Sequence, residues 1–132
     1  MPATQTRVSR RALVVTVDLD TAKALREMLK FLGFEARIAS TAQEALQLVN
    51  EFTPVLSIVD VTSPLIAGYD LVAKLSTEPR LVDCKFVALS QPFAAGTSRR
   101  QLAAGFQARL VKPVSLEALL ATLVASGSAC IG

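Results

Sequence analysis

The length, composition and charge of the chain exclude several classes of protein. Its 132 residues suffice for one domain with a buried core, and 52% of them are hydrophobic while only 5% are aromatic, which favours an aliphatic core. The chain has no histidine and two distant cysteines, Cys84 and Cys130, so a zinc site and a histidine-based nucleophilic triad are excluded. The net charge of +3, without interleaved aromatic and basic residues, does not indicate nucleic-acid binding.

The two ends of the chain differ in composition from the part between them. Residues 1–10 are polar and basic, which predicts a disordered tail, and residues 126–132 indicate a linker stub. Arg10 and Arg11 precede an apolar run of six residues, too short for an export signal or a membrane span. We therefore expect a cytoplasmic domain over residues 11–125 that makes no membrane contact.

Five apolar segments predict β-strands. They are ALVVTV at 12–17, FEARIAS at 34–40, VLSIVD at 55–60, KFVALS at 85–90 and FQARLV at 106–111. The third segment is almost continuously apolar, as expected of a strand that is covered on both faces of a parallel sheet.

The segments between the strands carry helix signals. Gly33 stands at the end of a first helix, Thr41 and Glu44 form a capping box for a second, and Ser115 caps a fifth. A third helix follows Gly68, and a short fourth helix is predicted near 98–104. The predicted buried faces are Leu25, Met28, Leu29 and Leu32; Ala45, Leu46 and Val49; Leu71, Val72 and Leu75; and Leu116, Leu119, Leu120 and Leu123. Five strands alternating with five helices predict an α/β, doubly wound parallel sheet.

Polar residues stand where the predicted strands end. Asp60 follows the third strand, Ser90 the fourth and Lys112 the fifth. Ligands of such sheets bind outside the carboxyl ends of the strands, so an acid, a hydroxyl and an ammonium group are expected to converge there. Near the end of the first strand, Asp20 is predicted to be the N-cap of the first helix.

This pattern over residues 11–125 resembles the receiver domains of two-component response regulators. The segments that carry the resemblance are SIVDVTSP with Asp60 and Pro64, Gly68 four residues later, VALS ending at Ser90, and VKP with Lys112. It implies a flavodoxin-like fold with the strand order 2-1-3-4-5, and a signalling module rather than an enzyme. It also implies that a histidine kinase transfers a phosphoryl group to Asp60, that Ser90 and Lys112 bind the phosphate, and that Mg²⁺ bridges it to an acidic pair after the first strand.

The sequence departs from the family at the acidic pair, which falls on Thr16 and Val17. Mg²⁺ is held in such sites by one or two carboxylates and the phosphate oxygens. Only Asp60 and Asp18 are left as candidate metal ligands, so Mg²⁺ is expected to bind weakly or not at all. Arg109 stands where the family usually has an aromatic residue, and its charge opposes burial behind the strand.

Two interpretations follow for the function. In the first, the chain is an atypical receiver that contacts a histidine kinase or another signalling protein; in the second, it is a conventional phosphoacceptor in which Asp18 assists Mg²⁺. A nucleotide or flavin site is not supported, because no glycine-rich phosphate loop follows the first strand. The resemblance implies a homodimer or partner surface on the fourth helix, fifth strand and fifth helix, which would carry Arg99, Arg100 and Arg109, and a cis bond before Pro113.

Overall fold

Strands and helices alternate along the chain in the computed structural model, which describes residues 10–62, 66–91 and 105–125. The strands are β1 (Arg11–Val15), β2 (Glu35–Ala39), β3 (Leu56–Asp60), β4 (Lys85–Ser90) and β5 (Ala108–Val111). The helices are α1 (Leu19–Phe31), α2 (Ala42–Phe52), α3 (Gly68–Leu75) and α4 (Leu116–Ala125), with a 3-10 turn at Pro79–Leu81. The helix predicted near 98–104 lies outside the described residues, so α4 is the fifth helix of the sequence prediction.

The five strands form one parallel sheet in the order β2-β1-β3-β4-β5, which confirms the predicted order. Asp60 at the end of β3 pairs with Leu89 of β4, and Ser90 pairs with Val111 of β5. Because the strands are parallel, their carboxyl ends meet at one side of the sheet, which we call the carboxyl edge.

Helices cover both faces of the sheet. Leu13 and Val15 of β1 point to the layer that contains α2 and α3, while Ala12 and Val14 point to the layer that contains α1 and α4. β3 is buried along its whole length, as its continuous apolar sequence predicts. Such burial fixes the position of Asp60, the last residue of β3.

Local capping signals set the helix boundaries. Gly33 follows the end of α1 with a φ of +94°, a conformation that a residue without a Cβ adopts at little cost. The hydroxyl of Thr41 accepts a hydrogen bond from the amide of Glu44 at 3.0 Å, and the hydroxyl of Ser115 accepts one from the amide of Ala118 at 3.1 Å. These three of the four predicted caps are therefore confirmed.

The buried face of α4 is narrower than the sequence predicts. Leu119 and Leu123 are buried, whereas Leu120 is 44% exposed and Val124 is 56% exposed. The prediction that Leu120 is buried is wrong, because the i, i+4 pair Leu119 and Leu123 makes the contact with the sheet and Leu120 lies off that line. An apolar strip of α4 is thereby left on the surface.

Gly68 is the point where α3 begins against the strand that carries Asp60. A Cβ on Gly68 would lie 2.8 Å from the backbone oxygen of Asp60 and 3.3 Å from the Cα of Val61. We expect Gly68→Ala to lower the unfolding free energy by about 1–3 kcal/mol, because the backbone at the site would have to move. Urea unfolding tests this expectation. Lys74→Ala, on the exposed side of the same helix, is the control and should change stability by less than about 0.5 kcal/mol; an equal effect of both changes would contradict it.

Candidate functional site

The carboxyl edge brings together an acid, an ammonium group and a buried hydroxyl. Asp60 ends β3, Lys112 follows β5 and Thr16 follows β1. The bond between Lys112 and Pro113 is cis, as predicted. The side chain of Asp60 is 2% exposed and that of Lys112 is 13% exposed. The site is therefore a largely buried polar group within an apolar sheet.

Both oxygens of the Asp60 carboxylate accept two hydrogen bonds each. Oδ1 accepts from the backbone N of Thr62 at 2.9 Å and from its Oγ1 at 2.6 Å. Oδ2 accepts from Oγ1 of Thr16 at 2.8 Å and from Nζ of Lys112 at 3.0 Å. A carboxylate offers about four lone-pair positions, so donors of the chain itself satisfy Asp60.

Thr16 and Val17 occupy very different surroundings. Thr16 is fully buried, and its Oγ1 both donates to Asp60 and accepts a hydrogen bond from the backbone N of Asp18 at 3.1 Å. Val17 is 38% exposed. Of the two residues that the resemblance places at the acidic pair, Thr16 therefore contacts Asp60 directly, as a hydrogen-bond donor.

Asp18, and not Asp20, is the N-cap of α1. Oδ1 of Asp18 accepts from the backbone N of Thr21 at 3.3 Å, and Oδ2 accepts from its Oγ1 at 2.7 Å. The prediction for Asp20 is wrong because the connection after β1 is short and α1 already begins at Leu19. Nζ of Lys112 also lies 3.5 Å from Oδ2 of Asp18, so Lys112 stands between two carboxylates.

The electrostatics favour the ionised form of both carboxylates. Burial acts to raise the pKa of Asp60, but the hydrogen bonds from Thr62, Thr16 and Lys112 outweigh it and hold the pKa below its usual range. The hydrogen bonds from Thr21 lower the pKa of Asp18, with a smaller contribution from Lys112. At neutral pH the site therefore contains two carboxylates that share one ammonium group.

These pKa shifts predict a loss of stability in acid. Because the pKa of Asp60 is lower in the folded chain than in the unfolded chain, its stabilising contribution is complete above about pH 4 and is lost as the pH falls through the lower folded value. Urea unfolding from about pH 7 to about pH 2 should show a steeper loss for the native chain than for Asp60→Asn. Profiles of equal slope for the two proteins would contradict this expectation.

Ser90 lies at the carboxyl edge but does not join the hydrogen-bond network. Its side chain is fully buried, and its Oγ has no hydrogen-bond partner among the residues that the structure describes. The backbone N of Lys112 donates to the backbone O of Ser90 at 2.9 Å, which ties the end of β5 to the end of β4. The predicted meeting of three groups thus holds for Asp60 and Lys112, while the hydroxyl of Ser90 makes no hydrogen bond to either of them.

Comparison with known proteins identifies the family. A family model described as the response regulator receiver domain matches residues 12–124. The chain belongs to this family. The evidence that this is a receiver domain of two-component signalling therefore extends over nearly the whole domain and is not limited to the residues at the strand ends.

Individual relatives are similar over most of this receiver domain. An uncharacterized 14.6 kDa protein of Leptolyngbya boryana is 33% identical over 110 residues, which are 83% of this chain and 84% of that protein. The response regulator MprA of Mycolicibacterium vanbaalenii is 30% identical over 113 residues, 86% of this chain but 48% of the regulator. The solved structure of a CheY-like receiver domain protein of Methanospirillum hungatei has a TM-score of 0.77 and 27% identity, and covers 88% of this chain and 91% of that one. The chain thus spans about half the length of MprA.

The side chains around Asp60 in this receiver domain do not fit Mg²⁺. The ion requires several oxygen ligands in near-octahedral geometry, yet both oxygens of Asp60 are occupied by donors and the ammonium of Lys112 lies 3.0 Å away. Asp18 is engaged as a helix cap, and Thr16 offers one neutral oxygen that already donates to Asp60. Within residues 10–62, 66–91 and 105–125, no cluster of three or more acidic, cysteine or histidine residues is arranged to hold a metal ion.

The surface predicted to contact partners is described only in part. Arg109 on β5 is exposed, as expected of an arginine at this position, while Arg99 and Arg100 lie outside the described residues. The structure also exposes an apolar strip that was not predicted, formed by Leu120 and Val124 of α4. In the part of the chain that the structure describes, no helix is long and apolar enough to cross a membrane.

Thr62 is the site residue that sequence reasoning missed. It lies two positions after Asp60, in the segment DVT, and supplies both hydrogen bonds to Oδ1. The signal was present, because aspartate side chains commonly accept a hydrogen bond from the backbone N–H two residues further along.

Proposed function

We propose that this receiver domain is an atypical signalling module, not an enzyme, that acts through protein contacts while Asp60 stays unphosphorylated. The observation that carries the proposal is the set of four hydrogen bonds to Asp60 from Thr62, Thr16 and Lys112. These donors stabilise the charged carboxylate without a metal ion. The carboxylate is thereby held in one arrangement instead of being switched.

The absence of an acidic pair is the second support for this proposal. Phosphoryl transfer depends on a metal ion that neutralises charge as it develops on the transferred group. At the two positions concerned, Thr16 is a buried hydroxyl and Val17 an exposed apolar residue. Asp18 is the remaining candidate, but its oxygens are committed to Thr21 and Lys112.

One observation favours the alternative, a conventional phosphoacceptor phosphorylated at Asp60 by a histidine kinase. The buried Oγ of Ser90 lacks a partner among the described residues, and an unpaired buried donor is costly unless a ligand occupies it at some stage. A phosphoryl oxygen on Asp60 would be such a ligand. In this alternative Asp18 leaves the helix cap and assists Mg²⁺.

Intact-mass spectrometry after treatment with acetyl phosphate and Mg²⁺ distinguishes the two functions. In the reaction tested, the bond between phosphorus and the acetate oxygen breaks, a bond to a carboxylate oxygen of Asp60 forms, and acetate leaves. We expect no phosphate adduct on the native chain under conditions that label an ordinary receiver domain. A full adduct that is lost in Asp60→Asn would establish the alternative.

We further propose that the surface formed by β5 and α4 contacts a second copy of the chain or an acidic signalling partner such as a histidine kinase. Arg109 and the apolar side chains of Leu120 and Val124 are exposed there, and apolar contacts within a charged rim are typical of protein interfaces. Arg99 and Arg100 are predicted to extend the same basic surface.

Light scattering during gel filtration tests the homodimer. Leu120→Glu should shift the native chain towards monomer, because the substitution places a charge in the middle of the contact. Val82→Glu is the matched control: Val82 is 81% exposed and lies between the 3-10 turn and β4, not on β5 or α4. A native chain that stays monomeric at all concentrations, or an equal effect of both changes, would contradict the homodimer.

A further inference from the structure

Thr62 supplies two of the four hydrogen bonds that the Asp60 carboxylate accepts. Its Oγ1 lies 2.6 Å from Oδ1 of Asp60 and its backbone N lies 2.9 Å from the same atom. The first distance is in the short range of an O–H donor bound to a charged oxygen, which is the stronger class of hydrogen bond. The backbone N–H is present whichever residue stands at position 62, so the hydroxyl is what the threonine side chain adds.

The two threonines act on different oxygens of the same carboxylate. Among the described residues, Thr16 and Lys112 donate to Oδ2 and only Thr62 donates to Oδ1. A carboxylate has about four lone-pair positions, so any new ligand must displace one of these donors. Restoring acids at positions 16 and 17 would free a position on Oδ2 only, and Oδ1 would remain occupied.

We propose that Thr62 is a positioning residue whose hydroxyl keeps Oδ1 of Asp60 closed to cations, and that the site is silenced by Thr62 as well as by the lost acidic pair. The proposal rests on the proposed function, since it explains how Asp60 is kept from acting as an acceptor. It adds a second cause, the hydroxyl of the residue two positions after Asp60.

The experiment measures the dissociation constant of Mg²⁺ in a background that carries Thr16→Asp and Val17→Asp. Three proteins are compared with this background: Thr62→Val, which keeps the side-chain shape without the hydroxyl; Thr62→Ser, which keeps the hydroxyl; and Thr77→Val. Thr77 is a matched control, because its hydroxyl donates to the backbone O of Lys74 at 2.8 Å on an exposed turn.

We expect Thr62→Val to bind Mg²⁺ about tenfold more tightly than the background, since removal of a hydrogen bond to a charged group is an effect of that order. Thr62→Ser and Thr77→Val should bind as the background does. The proposal is overturned if Thr62→Val binds no more tightly than Thr62→Ser, or if no protein of the set binds the ion. Circular dichroism establishes that each variant is folded, and Thr62→Ala replaces Thr62→Val if the valine variant is not.

The outcome is independent of the test of the proposed function. Labelling of the native chain by acetyl phosphate would refute the proposal that Asp60 stays unphosphorylated. It would not decide the order of Mg²⁺ affinities among the Thr62 variants. Conversely, equal affinities of Thr62→Val and Thr62→Ser would refute the role of Thr62 even if the native chain stays unlabelled.

Discussion

Replacing Lys112 by methionine is expected to lower the unfolding free energy by about 3 kcal/mol, because it leaves a buried carboxylate without its cation. Asp60 is 2% exposed on its side chain, and Nζ of Lys112 lies 3.0 Å from its Oδ2. The hydrogen bonds from Thr16 and Thr62 remain in the variant, which places the expected loss at the low end for a broken buried ion pair. Asp18 loses the same cation but is 41% exposed, so water compensates most of its loss.

A double-mutant cycle tests whether this loss arises from the pair with Asp60. Lys112→Met should be much less destabilising in a background that carries Asp60→Asn, where no buried charge is left unpaired. Lys74→Met, on the exposed side of α3, is the control for the lost lysine and should change stability by less than about 0.5 kcal/mol. Equal losses for Lys112→Met in the two backgrounds would show that Lys112 contributes by packing and not by its charge.

Restoring the acidic pair with Thr16→Asp and Val17→Asp is expected to strengthen Mg²⁺ binding relative to the native chain. Two unit charges about 4 Å apart interact by roughly 4 kcal/mol at an effective dielectric constant of about 20, which corresponds to almost three powers of ten in affinity. Because desolvation and the remaining hydrogen bonds to Asp60 oppose the ion, we expect a net gain of at least ~100-fold.

The neutral variant Thr16→Asn with Val17→Asn is the matched control for the restored pair. Its side chains have nearly the same shape but no charge, so it should gain little affinity in isothermal titration calorimetry. The acidic variant should also unfold at a lower temperature than the native chain without Mg²⁺, because like charges then face Asp60, and recover when the ion is added. Equal affinities of the two variants would show that charge at these positions is not what the native site lacks.

The fold was accessible from the sequence because strand and helix signals agreed along the chain. The continuous apolar run that ends at Asp60 specified a strand buried on both faces, and parallel strands with helical crossovers leave few possible orders. The buried face of α4 was less predictable: helical spacing groups Leu120 with Leu119, and only packing at the sheet shows which of the two is covered.

The sequence predicted the ion pair of the site but not the hydrogen bonds that the threonines donate to Asp60. Asp60 and Lys112 could be placed together because both stand at the carboxyl ends of strands of one parallel sheet. The cap of α1 at Asp18 depended on the length of one short turn, which composition does not specify. Which residues donate hydrogen bonds to Asp60 depends on side-chain directions after two strands. Thr16 was therefore identified only as the replacement of an acidic metal ligand, and Thr62 was not identified at all.

In the function proposed above, side chains of this receiver domain, and not a metal ion, stabilise the charge of Asp60. A titration of the ¹⁵N-labelled native chain with Mg²⁺, followed by two-dimensional NMR, tests it most directly. We expect the backbone amide signals of Asp60, Thr62 and Lys112 to stay in place at concentrations that saturate an ordinary receiver domain. Saturable shifts centred on Asp60 and Asp18 would show that Asp18 leaves its helix cap to bind the ion and would contradict the claim.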